Sequence, residues 1–141
     1  MTVLDNIKIV VEPAVISELT ENTLPLLHEI RHALIRLAES GESTILDLQA
    51  IPFGPGDEDR LLSFLGTGEV SATVNALGET KIFETQYPAV WLVEHKNPEL
   101  SRVALQIEVT QVPTILMTQN ADILDSIALI GETLEQSNAE F

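Results

Sequence analysis

The chain has no cysteine, only seven lysines and arginines, four Phe, one Tyr, one Trp, and no long apolar run. Lack of cysteine excludes disulfides, thiolate metal sites, cysteine-held iron–sulfur clusters and thiol nucleophiles. With so few aromatic rings the core must be built from aliphatic side chains. The scarce cations stand against 22 Asp and Glu, a formal charge of -15. Such a field repels nucleic acid and anionic headgroups. It favours basic partners, or serves solubility alone. No apolar stretch approaches the roughly 20 residues of a membrane-spanning helix. Residues 1–11 carry Asp5 and a single lysine, Lys8, unlike a secretory signal. Neither insertion nor export is expected, and the expected compartment is the cytoplasm.

A length of 141 residues suits one domain over 1–141, able to bury about two thirds of the surface its unfolded chain exposes. No internal repeat or linker is evident. Residues 7–11 are a short apolar run stopped by Pro13 and read as a strand. Residues 24–40 read as a helix, with Thr23 able to cap it, Pro25 in its first turn and Gly41 placed to end it. Its buried stripe is expected to be Leu26, Leu27, Ile30, Leu34 and Leu37. A strand over 44–48 leads into Pro52-Phe53-Gly54-Pro55-Gly56, a rigid turn. Asp57 can cap the helix that follows, which carries Leu61, Leu62 and Leu65 and stops at Gly66; its three leading acids suit the positive end of the helix dipole.

From Gly68 the period becomes two. Val70, Ala72 and Val74 alternate with polar residues, Leu77-Gly78-Glu79 offers a turn, and residues 80–85 return. A second hairpin is expected from 89–95 and 102–110 through Asn97-Pro98, ended by Val112-Pro113. Residues 122–136 set Ile123, Leu124, Ile127, Ile130 and Leu134 at helical spacing. Helix, strand, helix, adjacent antiparallel strands and a last helix describe an α+β fold: an antiparallel sheet of hairpins packed with about three helices.

His28-Glu29-Ile30-Arg31-His32 matches the zinc-hydrolase pattern H-E-x-x-H, with two imidazoles one turn apart and a glutamate base. At about 100° per residue, however, both histidines point away from the apolar stripe. Arg31 sets a cation inside the motif, and no later segment offers a recognisable third ligand. An exposed helix face is the simpler reading, and a metallohydrolase using His28 and His32 is the alternative. His95, beside Glu94, reads as a structural or interface residue. No nucleophile elbow, phosphate loop with its lysine, or dinucleotide fingerprint is present. No catalytic residue, metal or cofactor is expected.

Four blocks carry a resemblance. Leu24-Pro-Leu-Leu-His-Glu-Ile-Arg-His-Ala-Leu34, Gly54-Pro-Gly-Asp-Glu58, Gly66-Thr-Gly-Glu-Val-Ser-Ala-Thr-Val74 and Pro88-Ala-Val-Trp-Leu-Val-Glu-His95 occur in one order within about residues 24–118. Together they resemble the HupH/HyaF hydrogenase-expression family. That resemblance implies a non-enzymatic maturation chaperone for a membrane-bound nickel–iron uptake hydrogenase. The implied client is the iron–sulfur small subunit before twin-arginine export, possible further partners being other maturation factors. Lacking cysteine, the chain cannot itself donate a Cys-ligated cluster. No nucleic-acid partner and no membrane insertion are expected. A structural subunit of a larger assembly complex is a third reading. The expected client-binding surface is the loop and hairpin at Gly66, Gly68, Glu69 and Val70, with Tyr87, Pro88 and Trp91 on or beside the neighbouring strand. Trp91 either anchors that surface or belongs to the core.

Overall fold

The computed structural model describes residues 23–139, so the strand expected at 7–11 lies outside the described residues. These residues fall into two compact units, one ending at Gln111 and the other beginning at Val112.

In the first unit, α1 (Thr23–Ser40) forms where the apolar residues recur every three or four positions. Leu26, Ile30 and Ala33 are buried, and Leu27, Leu34 and Leu37 pack half-buried beside them. Gly41 ends the helix in a left-handed conformation (φ 77°), its N–H donating to the Leu37 carbonyl at 2.9 Å. β1 (Thr44–Asp47) is shorter than the sequence suggests. The Asp47 carboxylate accepts the Gln49 N–H at 2.9 Å and starts a 3-10 turn over Leu48–Ala50. An Asx contact of this kind competes with the strand ladder and ends it.

α2 (Asp57–Leu65) also begins differently. Gly56, at φ 80°, is the N-cap, and Asp57 is the first helical residue. A left-handed turn after Pro55 suits a residue without Cβ, so glycine takes the capping position. Asp57 is only 3% exposed and reaches back to accept the Gly54 N–H at 2.7 Å, while Arg60 lies 3.2 Å from its other oxygen. The carboxylate thus braces the turn.

The two hairpins are β2 (Ser71–Asn75) with β3 (Glu79–Glu84), and β4 (Val90–Lys96) with β5 (Arg102–Val109). All pairings are antiparallel, and the five-stranded order is β1-β5-β4-β3-β2. This is the expected α+β arrangement. Opposed residues share a face, so Val90 with Val109 and Leu92 with Ile107 define one side. That side joins Leu46 and Leu105 to the α1 residues and to Leu61 and Leu65 of α2 in one aliphatic core. Arg102 ties α2 to β5 by a two-pronged contact with Glu58 at 2.9 and 3.1 Å.

Trp91, Val93 and Ile82 point to the opposite side and are buried there too. The second unit holds a 3-10 turn at Thr114–Leu116 and the 20-residue α3 (Asn120–Ala139), two residues longer at its start than expected and three at its end.

Candidate functional site

The site is built on two connecting segments: residues 66–70, leading from α2 into β2, and residues 85–89, leading from β3 into β4. Gly66 closes α2 with its N–H on the Leu62 carbonyl at 2.9 Å. Gly68 then donates to the Glu84 carbonyl at 2.7 Å, and Glu84 donates to the Val70 carbonyl at 2.9 Å. The Glu69 N–H meets the Glu84 carboxylate at 3.3 Å. Residues 68–70 thus extend the β2–β3 ladder beyond the start of β2.

The second segment is held at both ends. Gln86 donates its backbone N–H to the Leu65 carbonyl at 2.9 Å and its side-chain amide to the Phe64 carbonyl at 2.6 Å. The buried Thr85 hydroxyl donates to the Val90 carbonyl at 2.8 Å and accepts the Tyr87 N–H at 3.2 Å. Side-chain contacts to the main chain replace the ladder where residues 85–89 leave it. Tyr87 stacks on Phe64 of α2, with ring centroids 5.9 Å apart and planes at 23°. Burial raises the Tyr87 phenol above its ordinary value near 10.

Two recesses open on either side of this segment. Tyr87 lines an apolar groove of about 260 Å³ together with Leu27, Ile30, Leu34, Phe64, Leu65 and Val90, and Arg31 stands at it as the one charged group. Its neighbours Gln86 and Pro88 line a wider cleft of about 490 Å³ with Thr67, Gly68, Glu69, Glu84 and Thr85. One recess offers apolar contact. The other offers hydrogen-bond acceptors and two carboxylates. Of the cations among the described residues, Arg36, Arg60, Lys81, Lys96 and Arg102 each lie within 4 Å of a described acid; Arg31 lies within 4 Å of none among the described residues.

Six of the residues expected at a client-binding surface meet here: Gly68, Glu69 and Pro88 line the cleft, Tyr87 lines the groove, and Gly66 and the exposed Val70 flank residues 67–69. Trp91 does not join them. It lines neither recess, is 6% exposed, and its indole N–H donates to the Thr110 carbonyl at 3.0 Å on the side of the sheet away from α1 and α2. Strand alternation decides this, because Trp91 falls on the opposite face from Val90 and Leu92. Pattern reading assigns the groove residues Leu27 and Leu34 to the buried stripe of α1 and does not single out Phe64. The signal of the two leucines is that stripe, but half-burial at a groove looks the same in sequence as burial in a core.

His28 and His32 are exposed on the outer side of α1, as the helical angle requires. Among the described residues no three His, Asp or Glu side chains are grouped to hold a metal ion. His95 has a structural partner, its Nδ1 lying 2.9 Å from the Thr80 hydroxyl. No helix among the described residues is long and apolar enough to cross a membrane.

Residues 20–137 match the family described as HupH hydrogenase expression protein, C-terminal conserved region. The hydrogenase expression/formation protein HoxQ of Azotobacter vinelandii is 31% identical over 116 residues, which are 81% of this chain and 41% of that protein. HupH of Rhizobium leguminosarum bv. viciae is 25% identical over 114 residues, 81% of this chain and 40% of the relative. The chain therefore spans about two fifths of the length of these curated relatives. Among solved structures, the hydrogenase expression protein HupH from Thiobacillus denitrificans superposes with a TM-score of 0.80 at 37% identity, covering 83% of this chain and 98% of that one. The chain belongs to the family of the HupH hydrogenase expression protein C-terminal conserved region.

Proposed function

We propose that the chain is a maturation chaperone for a nickel–iron uptake hydrogenase. In this reading it acts without chemistry of its own and holds the iron–sulfur small subunit in the cytoplasm before export. Its relatives are named hydrogenase expression/formation proteins, which supports the maturation role. The observation that carries the binding role is the pair of recesses on either side of residues 85–88, one apolar and one acidic, on a braced and pre-formed frame. Adjacent apolar and polar recesses of this kind suit an extended or helical segment of another polypeptide, since apolar contact supplies affinity and the polar groups fix orientation. A frame already held by hydrogen bonds loses little entropy on binding.

The charge of -15 supports a further role for the surface. A small-subunit precursor whose export signal carries paired arginines would be drawn in by the acidic field, and other maturation factors could share the same client. Exposed charges are screened over about 8 Å at physiological ionic strength. The test is the association rate with the precursor and with the presequence-free small subunit, at low and high salt. The precursor should bind faster, and its rate should fall as salt rises, while dissociation changes less. Equal rates without salt dependence would reduce the acidic surface to a solubility device. Lack of binding to either form would remove the small subunit as client.

A further inference from the structure

We infer that Arg31 reads a carboxylate on the client and so fixes the polarity of the bound segment: an acidic side chain beside an apolar one at the groove, and a basic side chain at the cleft. This rests on the reading that the two recesses hold a polypeptide. Every described residue lining them belongs to the first compact unit. The recesses carry opposite charge. Arg31 is the charged side chain at the apolar groove, while Glu69 and Glu84 are the charged side chains of the cleft on the other side of residues 85–88.

Pairing sets these three charges apart. With 22 acids against seven cations, an arginine or lysine finds an acid readily, and Arg36, Arg60, Lys81, Lys96 and Arg102 each do so. Among the described residues, Arg31 lies within 4 Å of no acid, and Glu69 and Glu84 lie within 4 Å of no cation. The Glu84 carboxylate is held in place by the Glu69 N–H at 3.3 Å. A guanidinium offers a planar fork to a carboxylate, and apolar contact made by the same segment excludes water from the pair and strengthens it. Other occupants match less of the surface. A small inorganic anion would leave Leu27, Leu34, Phe64 and Tyr87 uncovered. A wholly apolar segment would strip water from Arg31 without replacing it, and a wholly basic one would set like charges together. A segment with acid, apolar residue and base in this order satisfies the groove, its cation and the cleft.

The net charge gives the test its contrast. A field of -15 by itself favours the more basic segment, whereas Arg31 demands an acid at one position. The probes are synthetic peptides of one length, capped at both ends and made in both chain directions. One carries glutamate, leucines and arginine in that order; in the others lysine or glutamine replaces the glutamate. Each is titrated against the whole chain by fluorescence anisotropy. The glutamate peptide should bind about tenfold more tightly than the lysine peptide, with the glutamine peptide between them. Arg31→Glu should invert that order and Arg31→Gln should flatten it. Arg36→Glu, the same change of charge away from the groove, should preserve it, with circular dichroism confirming that each variant is folded. A lysine peptide that binds as tightly as the glutamate peptide, an order unchanged in Arg31→Glu, or no binding by any peptide would overturn the inference. Capture of the small subunit is measured in parallel, so the two readings fail separately. Capture without the peptide order overturns the polarity and keeps the client; the peptide order without capture does the reverse.

Discussion

Gly68→Ala tests whether residues 66–70 are held as tightly as their hydrogen bonds suggest. Gly68 has no left-handed backbone, so alanine fits its torsions, and restricting the unfolded chain would by itself stabilise by about 0.4–1 kcal/mol. The surroundings reverse the sign. A Cβ built on Gly68 would lie 2.5 Å from the Thr85 carbonyl oxygen and 2.9 Å from a Glu84 carboxylate oxygen. The Glu84 side chain can swing away, but the Thr85 carbonyl belongs to a segment pinned through Val90 and Tyr87. Relief must come from the backbone of residues 67–69. That weakens the 2.7 Å bond from Gly68 to the Glu84 carbonyl, a loss of about 1 kcal/mol on top of about 1–3 kcal/mol of overpacking. The net expectation is about 2 kcal/mol of destabilisation. With a urea dependence of about 2 kcal/mol per molar, this lowers the unfolding midpoint of the sheet unit by about 1 M. An unchanged or higher midpoint would mean that the segment moves freely and that the cleft is not pre-formed.

Ile30→Ala empties a position only 5% exposed beneath α1 and should cost about 2–5 kcal/mol in denaturant unfolding, while the exposed His32→Ala should leave the midpoint nearly unchanged. Leu34→Asp places a charge in the apolar groove, and it should weaken capture of the small subunit at least tenfold with the circular-dichroism spectrum preserved; undiminished capture would move the client elsewhere. The Tyr87 phenol loses its proton more readily in the unfolded chain than in the folded one. Stability should therefore fall as pH rises from near 10 towards the raised folded value, and Tyr87→Phe should remove that part of the alkaline loss in pH-dependent melts. Gly131→Ala, in open space on α3, should raise helical ellipticity, since glycine costs a helix about 1 kcal/mol relative to alanine.

The elements were legible wherever local chemistry decides them. The stripe of α1, the glycines that close α1 and α2, and the change to a period of two at β2 all depend on neighbours within a few residues. The two hairpins follow from the turn chemistry at Leu77-Gly78 and Asn97-Pro98, and with them comes most of the sheet order, because short connections pair adjacent strands. Local pattern misplaced several boundaries, two of them for a visible reason. Asp47 ended β1 early with a side-chain contact, and Gly56 displaced Asp57 from the cap.

Composition and spacing alone settled that no cysteine chemistry is available, that the chain carries a strong negative field, and that His28 and His32 lie on the outer face of their helix. Tertiary structure decided which half-apolar residues become core and which line a recess. Ile30 and Leu34 stand on one stripe, yet Ile30 is buried while Leu34 is left half-exposed beside Phe64 and Tyr87, because α2 and residues 85–88 cover only part of that stripe. It also decided the fate of Trp91, whose side of the sheet depends on its register against Glu84 and Glu108, partners seven residues before it and seventeen after. A residue's type sets what it can contribute when buried, but burial is a property of elements packed from distant parts of the chain, and so only the folded arrangement assigns it.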